Sequence, residues 1–148
     1  MQNPIRLATL ADIDTLFAIR TAVVQNHLNR EQMADLGITP QVLADSIREA
    51  PCVWLAEVEG QPAAFSMVNF DSGEVFAMFV LPAYEGRGLG RQLMAVAEAA
   101  LFEHHPTLYL ITDGRGEIRA NGFYQRLGWT QVGRVEGDDV RYEKSRAP

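Results

Sequence analysis

The stretch Phe76-Ala77-Met78-Phe79-Val80-Leu81-Pro82-Ala83-Tyr84-Glu85-Gly86-Arg87-Gly88-Leu89-Gly90-Arg91-Gln92-Leu93-Met94 leaves this chain few ways to fold. It opens as an apolar run of strand length, stops at Pro82, and crosses a loop with three alternate glycines. An amphipathic pattern follows, with residues 89, 93, 96, 97, 100 and 101 apolar on one helical face. The glycines therefore stand at a strand-to-helix turn. There the first helical amides lack an intrahelical partner and the macrodipole presents partial positive charge. Without a Cβ at Gly86, Gly88 and Gly90, a ligand can approach the backbone closely. The combination predicts an anion site, most naturally for phosphate groups.

The flanking sequence predicts the elements that hold this turn. A short strand at Ile5 to Ala8 leads through Thr9-Leu10-Ala11-Asp12, a capping-box pattern, into a helix reaching about Asn26. Its apolar face carries Ile13, Leu16, Phe17, Val23 and Val24, with Arg20 inside the stripe; a functional reading has it reach into an active-site cleft, and the reading preferred is a stem on apolar surface with its head in water. Residues 27–38 read as irregular and polar. Thr39-Pro40 opens a second helix, Thr as N-cap and Pro at the first helical position. Strands at 52–58 and 63–70 form a hairpin about Glu59-Gly60-Gln61-Pro62, and Asp71-Ser72-Gly73 turns into the central strand, 74–81. The central helix ends near His104-His105, before Pro106. A strand at 107–112 is reached through a helical crossover and so reads as parallel to 74–81. A helix over 117–127 stopped by Gly128, and strands at 129–135 and 140–144, complete the order β-α-α-β-β-β-α-β-α-β-β. This is an α+β architecture, a mixed, mainly antiparallel central sheet with helices on both faces.

Composition narrows the partners. With 148 residues, 47% hydrophobic and 22% charged, residues 1–148 read as one globular domain with a real core. No apolar run reaches spanning length and no export signal stands at the start, so the expectation is a soluble, cytoplasmic protein without a membrane partner. A formal net charge of −6 argues against nucleic-acid binding and is compatible with a cationic substrate such as an amine. The single cysteine, Cys52, excludes a disulfide framework or cysteine-rich metal site and reads as a core thiol. No metal site is expected: the adjacent His104 and His105 do not face the same way on a helix and suit its C-terminal dipole.

Two phosphate-loop readings fail on the residues. A P-loop needs Gly-Lys-Ser/Thr, which is absent, and the dinucleotide fingerprint needs a glycine where Arg91 stands. The pattern Val80-x-Pro82-x-x-x-Gly86-Arg87-Gly88-Leu89-Gly90-x-x-Leu93 instead resembles the acyl-CoA-binding segment of the GNAT superfamily of N-acyltransferases. The predicted element order resembles that fold from end to end. So does Ala120-x-x-Phe123-Tyr124-x-x-x-Gly128-Trp129, which is similar to the family's tyrosine-bearing helix and following strand. Glu85 stands where members often carry Gln or Arg, and Glu117 where many have Asn.

The resemblance implies a splay between strands 4 and 5 and transfer of an acetyl group from acetyl-CoA to a primary amine of a small molecule or peptide. Transfer would be by direct attack in a ternary complex. The alternative is a catalytically silent CoA- or acyl-CoA-binding sensor or interaction domain. By resemblance, Met78, Phe79 and Val80 offer backbone to the pantetheine and acyl carbonyl. Glu85, Gly86, Arg87, Gly88, Leu89, Gly90 and Arg91 hold the pyrophosphate, and Tyr124 meets the cofactor and protonates or stabilises the departing thiolate. Glu74 aligns with the catalytic glutamate of histone-type members, with Asp71, Glu57 and His27 as weaker candidates for the base. The acceptor pocket is expected from residues 27–38 and 69–74, and a homodimer is possible.

Overall fold

Hairpin turns and helical connections build a seven-stranded sheet in the order β1-β2-β3-β4-β5-β7-β6. The computed structural model describes residues 5–23, 28–115 and 120–146. The strands are β1 (Ile5–Leu7), β2 (Val53–Val58), β3 (Gln61–Asn69), β4 (Glu74–Val80), β5 (Thr107–Asp113), β6 (Thr130–Glu136) and β7 (Asp139–Ser145). The helices are α1 (Ile13–Ala22), α2 (Arg30–Asp35), α3 (Pro40–Glu49), α4 (Leu89–Phe102) and α5 (Ala120–Arg126). Every pairing is antiparallel except β4 with β5. That parallel pair has a single register position, Glu74 with Tyr109, where the Tyr109 N–H donates to the Gly73 carbonyl at 3.1 Å. Beyond it the strands part, which is the expected splay.

Helices cover both faces. On one, the Ser66 hydroxyl donates to the Leu93 carbonyl at 3.4 Å, and Ala56, Ala64, Leu89 and Leu93 pack between sheet and α4. On the other, α1 lies over β3 and β4, with Leu16, Phe17 and Ile19 in the core beside Phe65 and Met67. Burial of β3 from Ala63 to Val68 without alternation is what coverage on both sides requires. The β2–β3 turn places Glu59 at φ 52° and Gly60 at φ 78°, the two positive values that suit the twist of a tight hairpin. Thr39 caps α3 as expected, its Oγ1 accepting from the Val42 N–H at 3.2 Å.

Three boundaries differ from expectation. The Thr9–Asp12 box closes only a 3-10 turn, the Thr9 N–H donating to Asp12 Oδ2 at 2.8 Å, and α1 starts at Ile13. Helix α1 stops at Ala22, with Val23 extended, rather than running to Asn26. The Thr21 hydroxyl donates to the Phe17 carbonyl at 2.9 Å, and the β-branched run that follows favours leaving the helix. Val24, Asn26 and His27 lie outside the described residues. Within the supposedly irregular 27–38 stands α2, capped reciprocally: Asn29 Oδ1 accepts from the Gln32 N–H at 2.8 Å, and Gln32 Oε1 from the Asn29 N–H at 2.9 Å. Helix α5 is described from Ala120, so Glu117 also lies outside the described residues.

Candidate active site

The parting of β4 and β5 opens a cleft of about 940 Å³, inside the usual range for small-molecule sites. Its sheet wall is backbone as much as side chain. The Leu81 N–H donates to the Ala63 carbonyl at 2.9 Å, so by alternation Phe79, paired with Phe65, also turns its amide towards β3. Met78 and Val80 then turn theirs the other way, towards β5, beyond the last β4–β5 pair. Their N–H and C=O groups face the cleft, as a carbonyl or amide ligand would require.

A bulge sets the other face of β4. Met67 pairs with Ala77 but Val68 with Val75, so Phe76 is an extra residue. The bulge returns Glu74, opposite Asn69, to the face that carries Ala77 and Phe79, and Glu74 lines the cleft. Burial raises the Glu74 pKa; the Tyr109 hydroxyl, donating at 3.5 Å, and the charge of Arg141 oppose the rise. Of the weaker base candidates, Glu57 is ion-paired to Arg6 at 3.1 Å and Asp71 sits in the β3–β4 turn; neither lines the cleft. His27 is outside the described residues.

The glycine loop closes one end. After a 3-10 turn at Pro82–Tyr84, Gly86 has φ 77° and Gly88, the N-cap of α4, φ 80°. Both conformations are left-handed, strained for any residue with a Cβ. A Cβ on Gly86 would meet nothing within 4 Å, so the loop is open beside that Cα. At Gly90 a Cβ would come within 3.3 Å of the Phe123 ring and 3.6 Å of Met78 Cε, which marks how closely α4, α5 and β4 converge. Glu85, Gly86, Gly88, Leu89, Gly90 and Arg91 line the cleft together with Met78, Phe79 and Val80. Arg87 does not; its guanidinium carbon lies 5.5 Å from the centroid of the Tyr84 ring.

Tyr124 projects from α5 into the opposite wall, with its ring against Tyr142 at 5.5 Å and Phe123 at 5.6 Å. Among the described residues no group hydrogen-bonds its hydroxyl and no buried side-chain polar atom lacks a partner, so the hydroxyl opens onto the cleft. Burial, with Tyr142 adding to it, pushes its pKa up to about 12. The helix is held firmly. Asn121 Nδ2 donates to the Asp113 carbonyl at 2.9 Å and Asn121 Oδ1 accepts from the Tyr142 hydroxyl at 2.8 Å. Lys144 Nζ spans Glu98 and the Leu127 carbonyl at 2.7 Å each, while Glu98 also accepts from Trp129 Nε1 at 3.0 Å.

Sequence reasoning misjudged Arg20 and part of the acceptor side. Arg20 is 7% exposed rather than watered, lies with Cζ 4.2 Å from the Phe79 ring centroid, and lines the cleft. The only signal was its place inside the apolar stripe of α1. From 27–38, Met33, Leu36 and Ile38 reach the cleft; from 69–74 only Glu74 does. Phe70 turns away to meet the edge of His104, and its carbonyl is taken by His105 Nε2. Phe123 and Arg126 line the cleft without having been expected. Cys52 is a core thiol, 5% exposed and donating to the Ser46 carbonyl at 3.6 Å.

The acetyltransferase (GNAT) domain family matches residues 49–131, more than half of the chain. Over 104 residues the chain is 30% identical to a peptidyl-lysine N-acetyltransferase, YjaB, of Salmonella typhimurium, covering 68% of this chain and 64% of that relative's length. Among solved structures it is similar to a PaiA N-acetyltransferase of Thermoplasma acidophilum, in complex with coenzyme A, at a TM-score of 0.79 and 17% identity, over 99% of this chain and 100% of that one. It is also similar to Ard1 of Thermoplasma volcanium, at a TM-score of 0.80 and 16% identity over 100% of both chains.

Proposed function

The chain belongs to the GNAT acetyltransferase family, and on that premise we propose that it transfers an acetyl group from acetyl-CoA to a primary amine by direct attack in a ternary complex. One observation carries the reading: β4 and β5 pair at a single position and then part, with the Met78 and Val80 backbone facing the gap beside the α4 glycine terminus. The Salmonella relative, a peptidyl-lysine N-acetyltransferase, and the coenzyme A bound in the Thermoplasma acidophilum structure favour it.

The residues fit the cosubstrate. The open, left-handed Gly86–Gly88 loop and the unpaired first amides of α4 suit a pyrophosphate, and an extended amide-bearing arm can add to β4 as a strand would. Acetyl-CoA brings the activated acyl group; the chain supplies the rest. An amide at Met78 or Val80 donates to the acyl oxygen as charge develops there, an effect of typically ~3 kcal/mol per donor. Glu74 accepts the amine's proton, directly or through water, and a raised pKa brings it nearer to that task. Tyr124 donates to the departing sulfur. We place the reaction in the cytoplasm; among the described residues no helix is long and apolar enough to cross a membrane.

The test is a thermal shift with acetyl-CoA and with CoA, followed by a free-thiol assay over a panel of amines and peptides. Stabilisation by both nucleotides with acceptor-dependent thiol release is expected. Binding without turnover would leave a silent CoA sensor, and no binding would end both readings.

A further inference from the structure

Arg20 is the one charged residue buried among the described residues. The other arginines engaged in ion pairs lie at the surface, with side chains 41–58% exposed. Arg20 occupies a position of the α1 stripe that would ordinarily take a hydrophobe, between Leu16 and Val23, and its guanidinium lies over Phe79 at 4.2 Å. The cleft it shares with Glu74 has an apolar part: Phe17, Met33, Phe65 and Met67 are each 9% exposed or less and line it, the Phe65 ring 5.8 Å from that of Phe79. A guanidinium stays charged at any physiological pH and carries five N–H donors in one plane. Beside the contact Arg20 already makes, a five-donor guanidinium has capacity for an incoming carboxylate, and apolar surroundings strengthen such a contact.

Its position relative to the chemistry restricts what that anion belongs to. Arg20 and Phe79 lie on the α1 face of the sheet, whereas α4, whose glycine terminus suits the pyrophosphate, packs on the other face through Ser66 and Leu93. Arg20 is therefore not placed to serve the phosphates. Phe79 stands between Met78 and Val80, and a strand advances only ~3.3 Å per residue. The ring that Arg20 covers thus belongs to the immediate neighbour of the two residues whose backbone faces the gap, so an amine at that backbone and an anion at Arg20 suit one compact ligand. We propose that the acceptor is an apolar amino carboxylate, an amino acid or close analogue, whose carboxylate is recognised by Arg20 and whose side chain lies among Phe17, Met33, Phe65 and Met67. The assignment rests on the acetyl-transfer reading and deepens it. Net charge governs how ligands approach the surface; the cleft lining selects among them.

Binding and turnover can be separated in the test. In calorimetric titrations with CoA present, 3-phenylpropanoate should bind the wild type about 10- to 100-fold more tightly than 3-phenylpropanamide, the range for a hydrogen bond to a charged group. In Arg20→Met the two should bind alike, and Arg20→Lys should keep part of the preference. Melting temperatures of both variants, with and without CoA, report whether fold and nucleotide site survive. In the thiol assay, kcat/KM for L-phenylalanine should exceed that for 2-phenylethylamine, with the difference lost in Arg20→Met. Equal binding of acid and amide to the wild type, an acid preference that survives Arg20→Met, or no binding of either probe would each overturn the assignment. Failure of CoA to bind would overturn the acetyl-transfer reading instead, and is read in a separate titration.

Discussion

Burial raises the pKa of Tyr124 to about 12, which decides what its phenol can do for a departing thiolate. A free thiol titrates near ~8.5, so complete proton transfer from this phenol would be uphill by roughly 5 kcal/mol. On the proposed reaction Tyr124 then serves as a hydrogen-bond donor that steadies the sulfur, and the thiolate takes the second proton the amine sheds, after Glu74 has accepted the first. Tyr124→Phe should lower kcat by roughly 10- to 100-fold, the loss of one hydrogen bond to a charged group, with KM for acetyl-CoA and the melting temperature little changed. The wild type should show no basic limb near ~10, the ordinary tyrosine value. Glu74 yields a paired expectation. Its pKa is raised from 4.5, mainly by burial, so the folded state holds this proton more tightly than the unfolded chain. Its contribution to stability is greatest below 4.5 and is lost as pH climbs through the raised value. Glu74→Gln should raise the melting temperature at neutral pH, lose that gain near pH ~4, and remove the acidic limb of kcat/KM. Unchanged turnover in that variant would move the base elsewhere.

At the scale of elements, the left-handed Gly88 is where the proposed nucleotide site meets α4. Gly88→Ala adds only strain, about 1–2 kcal/mol; Gly88→Asp adds the same strain and a negative charge facing the helix terminus. Acetyl-CoA affinity, by titration, should fall much further in the second than in the first, and equal losses would show that no anion sits there. This loop was legible because its residues are irreplaceable: a proline stop, then glycines where φ must be positive. The hairpins and the tyrosine-bearing helix were legible for the same kind of reason. The bulge at Phe76 was not, since Val75 to Phe79 are apolar on both faces and no alternation breaks. Helix α2 has too few residues for a periodic signal, although Asn29 and Gln32 stand at capping-box spacing. Asn29→Ala should cost about 1 kcal/mol in denaturant unfolding. Because Met33 projects from α2 into the cleft, the same change should raise the acceptor KM more than that for acetyl-CoA.

Across the whole molecule, the sheet is strong on either side of a weak seam. On one side β1 to β4 are laced by antiparallel ladders; on the other, β5, β7 and β6 are likewise; between them stands one register pair. Residues on both sides line the cleft, Met78 and Val80 on β4, Leu110 and Thr112 on β5, so a ligand lying there contacts both halves. It does so only in the folded state, and at a hundred times its Kd contributes about 2.7 kcal/mol. For a chain near this size that corresponds to a rise in Tm of roughly 5–10 °C. The location of the effect is more telling than its size. In hydrogen exchange, saturating CoA should slow the amides of Met78, Val80 and the first turn of α4, with smaller changes along β5. The interior of β2 and β3, already paired on both sides, should change only as far as global stability does. If Tm rose while protection gathered instead at the surface groove of Leu7, Trp54 and Phe70, the nucleotide would be binding outside the splay and the site assigned to it would be wrong.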